Sequence, residues 1–359
     1  MPLPSILASH RFRGLAAAGV AAALAVATPQ ASSAATGQAG PAAPQEPSAP
    51  VAAIPTFVHL PADQAAHPGV GEEWWYTVGQ VAAHGHKFGY EVQLTSSGVT
   101  EIAINDITSG RYYSQQVMNK PGTFSASTTQ LDVRMPNATL SGPMNAMHLT
   151  ATLPGGTLDL TLNARGAPMY ENGTGLIPVL GGSSYYYSLP NLETSGTVTV
   201  DGKASKITGK SWLDRQWGQW DWSQLRKWTW MSIQLHNGDS ISLSDLYSAQ
   251  GEQHWATVLH PDGSESVVSV NPLAKGATDF QTSPTTGQRY AGKWTVEIPS
   301  LAKRGRTTLT VTATPTLQEI QAGLPFTPGI NEAASTVTGT VDGTHVTGQA
   351  YVEQFGIWK

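Results

Sequence analysis

The sequence predicts an all-β chain built as two consecutive antiparallel β-barrels packed side by side, and three observations carry that prediction. Short runs that alternate apolar and polar residues recur along the chain, separated by Gly-rich turns. Sustained helical periodicity is absent, and only residues 315–323 could hold a helical turn or two. The third observation is an internal repeat: residues 197–202 and 207–218, with Gly209, Trp212, Asp214 and Trp217, are echoed by 338–343 and 346–356, with Gly348, Tyr351, Glu353 and Phe355. Aligning Trp217 with Phe355 skips one residue beside Arg215, which predicts a bulge there. Two sandwiches would fit the same alternation. Closure favours barrels, because a chain with only 13% charged residues would otherwise leave bare strand edges, and small barrels commonly enclose one ligand.

The elements follow in order. His10, Arg11 and Arg13 precede a small-residue apolar run from Gly14 to Ala27 and then Ala31-Ser32-Ser33-Ala34-Ala35, which reads as an export signal over 1–35. The run is short of the ~20 residues of a membrane span, and no later segment reaches that length. Residues 36–55, rich in Ala, Pro, Gly and Gln, read as a flexible leader. Residues 56–222 and 223–359 form the two expected domains. In the first, 72–81 lead through a His/Gly turn into Phe88, Tyr90, Val92 and Leu94; in the second, 228–235 run through Asn237-Gly238 into 240–247. Each pair reads as a hairpin.

Composition excludes several functions. The 359 residues hold no Cys, which removes disulfide staples, zinc knuckles and thiol chemistry. Twenty basic residues against 25 acidic ones give a net charge of −5, and loss of Arg11 and Arg13 with the signal makes it −7 (18 − 25). Nothing in that balance draws the chain to nucleic acid. His84 and His86 flank Gly85 in a turn without a third ligand nearby, so no metal and no cofactor is expected. No Gly-x-Ser-x-Gly elbow is present. The oligomeric state cannot be read from the sequence.

Six of the eleven Trp, at 212, 217, 220, 222, 228 and 230, gather at the junction of the halves. They either fill a domain interface or wall a pocket for a flat, apolar small molecule, where rings also steady positive charge. Carboxylates share strand faces with these rings: Asp214 with Trp212 and Gln216, Glu353 with Tyr351 and Phe355, and Asp245 with Leu243 and Tyr247. An acid facing an apolar interior holds its proton to higher pH and can act as a general acid. Asp214, Asp245, Glu353 and Tyr187 are therefore the candidate catalytic residues. Trp74, Trp75, Tyr185, Trp212, Trp217, Trp230 and Tyr351 are the candidates for binding a hydrophobic ligand.

Taken together, Glu73-Trp74-Trp75-Tyr76, Tyr185-Tyr186-Tyr187-Ser188, the stretch Gly209 to Gly218 and the terminal Gly348 to Glu353 resemble the carotenoid 1,2-hydratase and AttH-like family over residues 56–359. The resemblance implies a pair of lipocalin-like barrels. It also implies divided chemistry: hydratases of isoprenoid double bonds, fungal hydratases and pericyclic cyclases, and exported members labelled hydrolases. The family hydratases carry a His-x-Trp after the Asp of the motif and a Tyr-x-Asp beyond it. Here Trp217 and Asp245 match, while Arg215 and Leu243 replace the His and the Tyr. The expectation is an exported enzyme that hydrates or cyclises an unsaturated apolar molecule, with an exported non-catalytic carrier as the alternative.

Overall fold

The computed structural model describes residues 55–301, 305–321 and 329–356, all within one unit, Ala53–Lys359. The expected export signal (1–35) and residues 36–54 of the expected leader lie outside the described residues. Two large curled antiparallel sheets make up almost everything described, thirteen strands between Glu72 and Gln219 and ten between Leu225 and Gly356. This is the lipocalin-type two-barrel architecture.

Both sheets follow one plan. In the first, Arg111–Met118, Val99–Asp106, His86–Thr95 and Glu72–Ala83 lie side by side and meet the long strand Lys203–Gln219, which pairs on its far side with Gly182–Val200 and then Gly156–Ala164 and Met147–Leu153. In the second, Glu265–Ser269, Gly251–Leu259, Ser240–Ser248 and Leu225–Leu235 meet Thr344–Gly356, followed by Ile330–Val341, Thr308–Ala313 and Lys293–Glu297. The equivalent hairpins turn on Asp201-Gly202 and Asp342-Gly343, with both Asp residues at φ 48°. Gly and Asp tolerate that left-handed region, and the resulting turn matches the twist of the flanking strands.

Curling buries one face of each sheet on itself. Ile102, Ile104, Leu149, Leu160 and Leu213 fill the first interior, and Met231, Ile233, Leu243, Val311 and Val352 the second. Each such side chain contributes ~1.5–3 kcal/mol on burial. A third apolar cluster lies between the barrels and is made by the opposite faces of the same strands: Tyr76, Trp212, Trp228, Trp230, Tyr351 and Phe355. Strand alternation thus sorts the ring-rich segments between an interior and a seam.

Two local expectations are corrected. The strand 203–219 carries no bulge beside Arg215; its register with Glu72–Ala83 and Gly182–Val200 runs unbroken from Leu213 to Trp217. The irregularity falls on the neighbouring strand between Leu189 and Leu192, where Pro190 has no N–H to give the ladder. The repeat therefore aligns Arg215 with Gln354 and Trp217 with Gly356. Residues 315–321 hold no helical turn; Glu319–Ile320 is a short strand paired with Ile330 and Asn331. The Gln318 side chain holds this segment extended by accepting from the Ala334 N–H and from Asn105.

Candidate active site

Between the two barrels lies a cavity of about 300 Å³. Trp74, Tyr76, Tyr186, Asp214 and Gln216 face it from the first sheet, and Trp228, Trp230, Ile330, Glu353 and Phe355 from the second. Trp222, from the linker between the sheets, closes against Trp74 and Phe355, with ring centroids 6.2 and 6.3 Å apart. The wall is aromatic, yet it holds four carboxyl groups, Glu72, Glu101, Asp214 and Glu353, and no Lys, Arg or His among the described residues.

The two acids at its centre are repeat equivalents in unlike surroundings. Asp214 pairs with Tyr76 across its sheet, and Glu353 pairs with Trp230 across the other. The Asp214 carboxylate accepts three hydrogen bonds, from Ser188 Oγ and Trp212 Nε1 on one oxygen and from Tyr186 Oη on the other, each at 2.5 Å. Burial pushes its pKa up to about 7, and the three donors offset part of that rise. Glu353 is pushed to about 8 by burial and by the charges of Glu101 and Asp214, against one favourable hydrogen bond with Glu332.

Glu332 stands directly opposite Glu353 on the adjoining strand and accepts a 2.6 Å hydrogen bond from Tyr76 Oη. Two ionised carboxylates so placed would repel, so the pair holds a proton; burial and the Glu353 charge raise Glu332 well above the carboxylate range. Glu91 is fully buried, neither of its carboxyl oxygens meets a donor, and its pKa is raised by burial and by Glu101. Gln116 donates to Glu101. The seam therefore holds a bank of carboxyl groups whose pKa values are raised toward or above neutrality.

Of the sequence candidates, Asp214, Glu353, Trp74 and Trp230 line the cavity. Trp212 and Tyr351 lie behind its wall in the seam, and the Trp212 indole orients Asp214. The others lie elsewhere. Asp245 faces the interior of the second barrel, 2.5 Å from His254 Nδ1 and 3.5 Å from Lys227 Nζ. Trp75, Tyr187 and Trp217 belong to the first interior, and Tyr185 stacks on Trp217. Alternation explains the split: Trp212 and Asp214 share one face of their strand, while Arg215 and Trp217 occupy the other.

Arg215 is fully buried beside those rings, 4.0 Å from the Trp75 centroid, and donates to Glu73 at 2.5 Å and to the Ala65 carbonyl at 2.6 Å. Leu243 packs in the second core. Neither replaced family position reaches the cavity. Sequence reading missed Tyr76, Tyr186, Glu91, Glu101 and Glu332 as members of the site. For Glu332 a signal was available: alternation from Ala334 places it on the seam face, opposite Glu353.

The model of the AttH-like family matches residues 51–357, which include both barrels. The chain belongs to that family. Among curated proteins it resembles the dehydratase asqC of Emericella nidulans, at 29% identity over 164 residues, 43% of this chain and 46% of the dehydratase. The match thus spans about half of that relative's length. Among solved structures it resembles an AttH protein of Nitrosomonas europaea (TM-score 0.73, 21% identity, 87% of this chain and all of that one). It also resembles kievitone hydratase of Nectria haematococca (0.70, 18%, 85% and 94%) and CghA (0.54, 13%, 82% and 93%). These structural likenesses establish the fold.

Proposed function

We propose that the protein is an exported hydro-lyase or cyclase that acts on an unsaturated, largely apolar small molecule in the seam cavity. The observation that carries this is geometric: two buried carboxyl groups, Glu353 and Asp214, line one aromatic-walled cavity from equivalent strands of the two sheets, and burial raises both toward neutrality. Two acids so placed can give a proton and take one up within a single site. The likeness to a dehydratase supports the reaction class.

In the hydration direction Glu353 gives its proton to one alkene carbon, and a C–H bond forms as the π bond breaks. The cation left on the other carbon faces Trp230, Tyr76 and the Asp214 carboxylate. Water adds its oxygen there and loses a proton to Asp214, which returns it to Glu353 through the cavity. Dehydration is the same path reversed, and cyclisation results when an internal π bond replaces water. The N-terminal charge and apolar run supports export.

The test is incubation of the full chain with polyene, prenylated and hydroxylated candidates, read as a mass change of one water or as an isomeric product. Glu353→Gln should lower turnover by ~10²–10⁴ with the fold kept. Unchanged turnover would remove Glu353 from the chemistry. The second reading is a carrier, favoured by Arg215 and Leu243 at the positions where family hydratases hold His and Tyr; it requires tight binding that survives loss of both acids.

A further inference from the structure

Directly behind the cavity's acid stands a second carboxyl that the proposed reaction leaves unused. Glu353 lines the cavity and keeps some accessible surface, whereas Glu332, opposite it on the adjoining strand, is 1% exposed and lies behind the wall. The two side chains share a hydrogen bond, and Tyr76 Oη donates to Glu332 Oε2 at 2.6 Å. Tyr76 comes from the first sheet and Glu332 from the second, so this contact spans the seam. A hydrogen bond between two carboxyl groups needs a proton between them. The deeper group keeps it, because ionising a carboxyl away from water costs more than ionising one that borders a cavity. The other neighbours offer no counter-charge: Glu91, Glu101, Tyr112 and Tyr351 act on Glu332, and Glu101, Asp214 and Tyr186 on Glu353, each an acid or a phenol.

We propose that Glu332 is a positioning residue for Glu353: clasped by Tyr76, it stays protonated and donates its hydrogen bond to the carboxylate that forms when Glu353 gives up its proton. The inference rests on the proposed function for Glu353 as the acid. In that step the Glu353 O–H bond breaks, its electron pair stays on the carboxylate oxygen and the proton goes to carbon. The Glu332 O–H bond persists throughout. A hydrogen bond to a charged acceptor is roughly twice as strong as one to a neutral acceptor. The bond therefore tightens as the acid reacts, and it makes Glu353 a stronger acid than burial alone would allow. Only one charge forms in the pair, on the member that borders the cavity. When the proton returns, the bond relaxes to its neutral strength.

Two substitutions separate this role from packing. Glu332→Gln keeps an acceptor for Tyr76 and an N–H donor for Glu353, and so copies the protonated acid; Glu332→Leu keeps much of the volume and donates nothing. The readout is an NMR titration of the full-length chain, isotope-labelled at its glutamate carboxyl carbons, with the two signals assigned by their loss in Glu353→Gln and Glu332→Gln. In the wild type Glu353 should ionise first, at about pH 8, and Glu332 only above it. Glu332→Gln should leave the Glu353 titration in place, and Glu332→Leu should move it up by about one pH unit. Ionisation of Glu332 at or below the pH at which Glu353 ionises overturns the inference, and that outcome is read in the wild type whether or not the Leu variant folds. A Glu353 titration that moves equally in both variants, or in neither, overturns it as well. The two readings fail separately. A Glu353 titration that follows the Glu332 donor, in a protein that neither adds water nor cyclises, keeps this inference and removes the proposed function; turnover that needs Glu353 while its alkaline limb stays fixed in Glu332→Leu does the reverse.

Discussion

The two strand pairs that meet at the seam are copies of one another, and they differ on one face far more than on the other. Register sets the equivalences: Asp214 opposite Tyr76 and Gly209 opposite Val81 in the first barrel, Glu353 opposite Trp230 and Gly348 opposite Leu235 in the second. On the seam face the copies keep ring for ring and acid for acid, with Trp74 against Trp228, Tyr76 against Trp230, and Asp214 against Glu353. On the interior face they part. The first barrel holds the ion pair of Glu73 and Arg215 between Trp75 and Trp217; the second has Lys227, Gln354, Thr229 and Gly356 at those places. The repeat therefore preserves the cavity, while each interior solves its own packing.

The largest effect should come from breaking the equivalence of the two acids. Both substitutions remove one carboxyl from one seam, yet they should damage opposite limbs of the pH–rate profile. In the wild type, activity should fall below about pH 7 as Asp214 takes up a proton and above about pH 8 as Glu353 loses its own. Glu353→Gln should cost ~10²–10⁴ in turnover and abolish the alkaline limb of what is left; Asp214→Asn should abolish the acid limb. Identical profiles for the two variants would end the division of roles. Next in size is the interior difference. Glu73→Ala strands a fully buried guanidinium and should destabilise the protein by about 3–5 kcal/mol in a denaturant titration. Gln354→Leu at the place equivalent to Arg215 strands the neutral N–H and C=O of Ala291 rather than a charge and should cost less, ~1–3 kcal/mol. Equal costs would mean that the Arg215 pair adds nothing beyond packing.

How much of this was legible in the sequence follows from the same two faces. The repeat, the hairpins and the seam acids Asp214 and Glu353 could be read because alternation and Gly-rich turns are local signals. The face occupied by Trp217 could not be told from that of Trp212 while a skipped residue beside Arg215 remained open, since one residue of slip exchanges interior and seam. Asp245 looked equivalent to Asp214 in the sequence; its commitment to His254 and Lys227 depends on neighbours brought together by curling. Glu91 and Glu101 come from the neighbouring hairpin strands, far from the ring cluster in sequence, so only the lateral order of the sheet brings them to the acid bank.

That bank also makes stability depend on pH in a definite sense. Asp214 and Glu353, raised to about 7 and about 8, and Glu91 and Glu332, raised well above the carboxylate range, hold their protons to higher pH in the fold than in the unfolded chain, which ionises at about 4. Their stabilisation is whole below that value and drains as pH rises through the folded values. The melting temperature should accordingly fall between pH 5 and 8.5, and Glu353→Gln should flatten the fall; a melting temperature that rises over this range would contradict the buried acids.

The smallest expected effect distinguishes the two rings at equivalent seam positions. Tyr76 donates to an acid, Glu332, whereas Trp230 donates to a hydroxyl, Ser242. Tyr76→Phe and Trp230→Phe should each cost about 1 kcal/mol for the lost bond near pH 6, with a further packing loss for the indole. The Tyr76 bond favours the ionised carboxylate and so holds the Glu332 pKa down. Its removal should therefore cost more as pH climbs from 6 to 9, and more steeply than that of Trp230→Phe, because Trp230 reaches an acid only through the Ser242 hydroxyl, which bonds Glu171. Parallel pH profiles for the two variants would show that Tyr76 packs against Glu332 without governing its proton, and the seam would lose its one asymmetry between ring and acid.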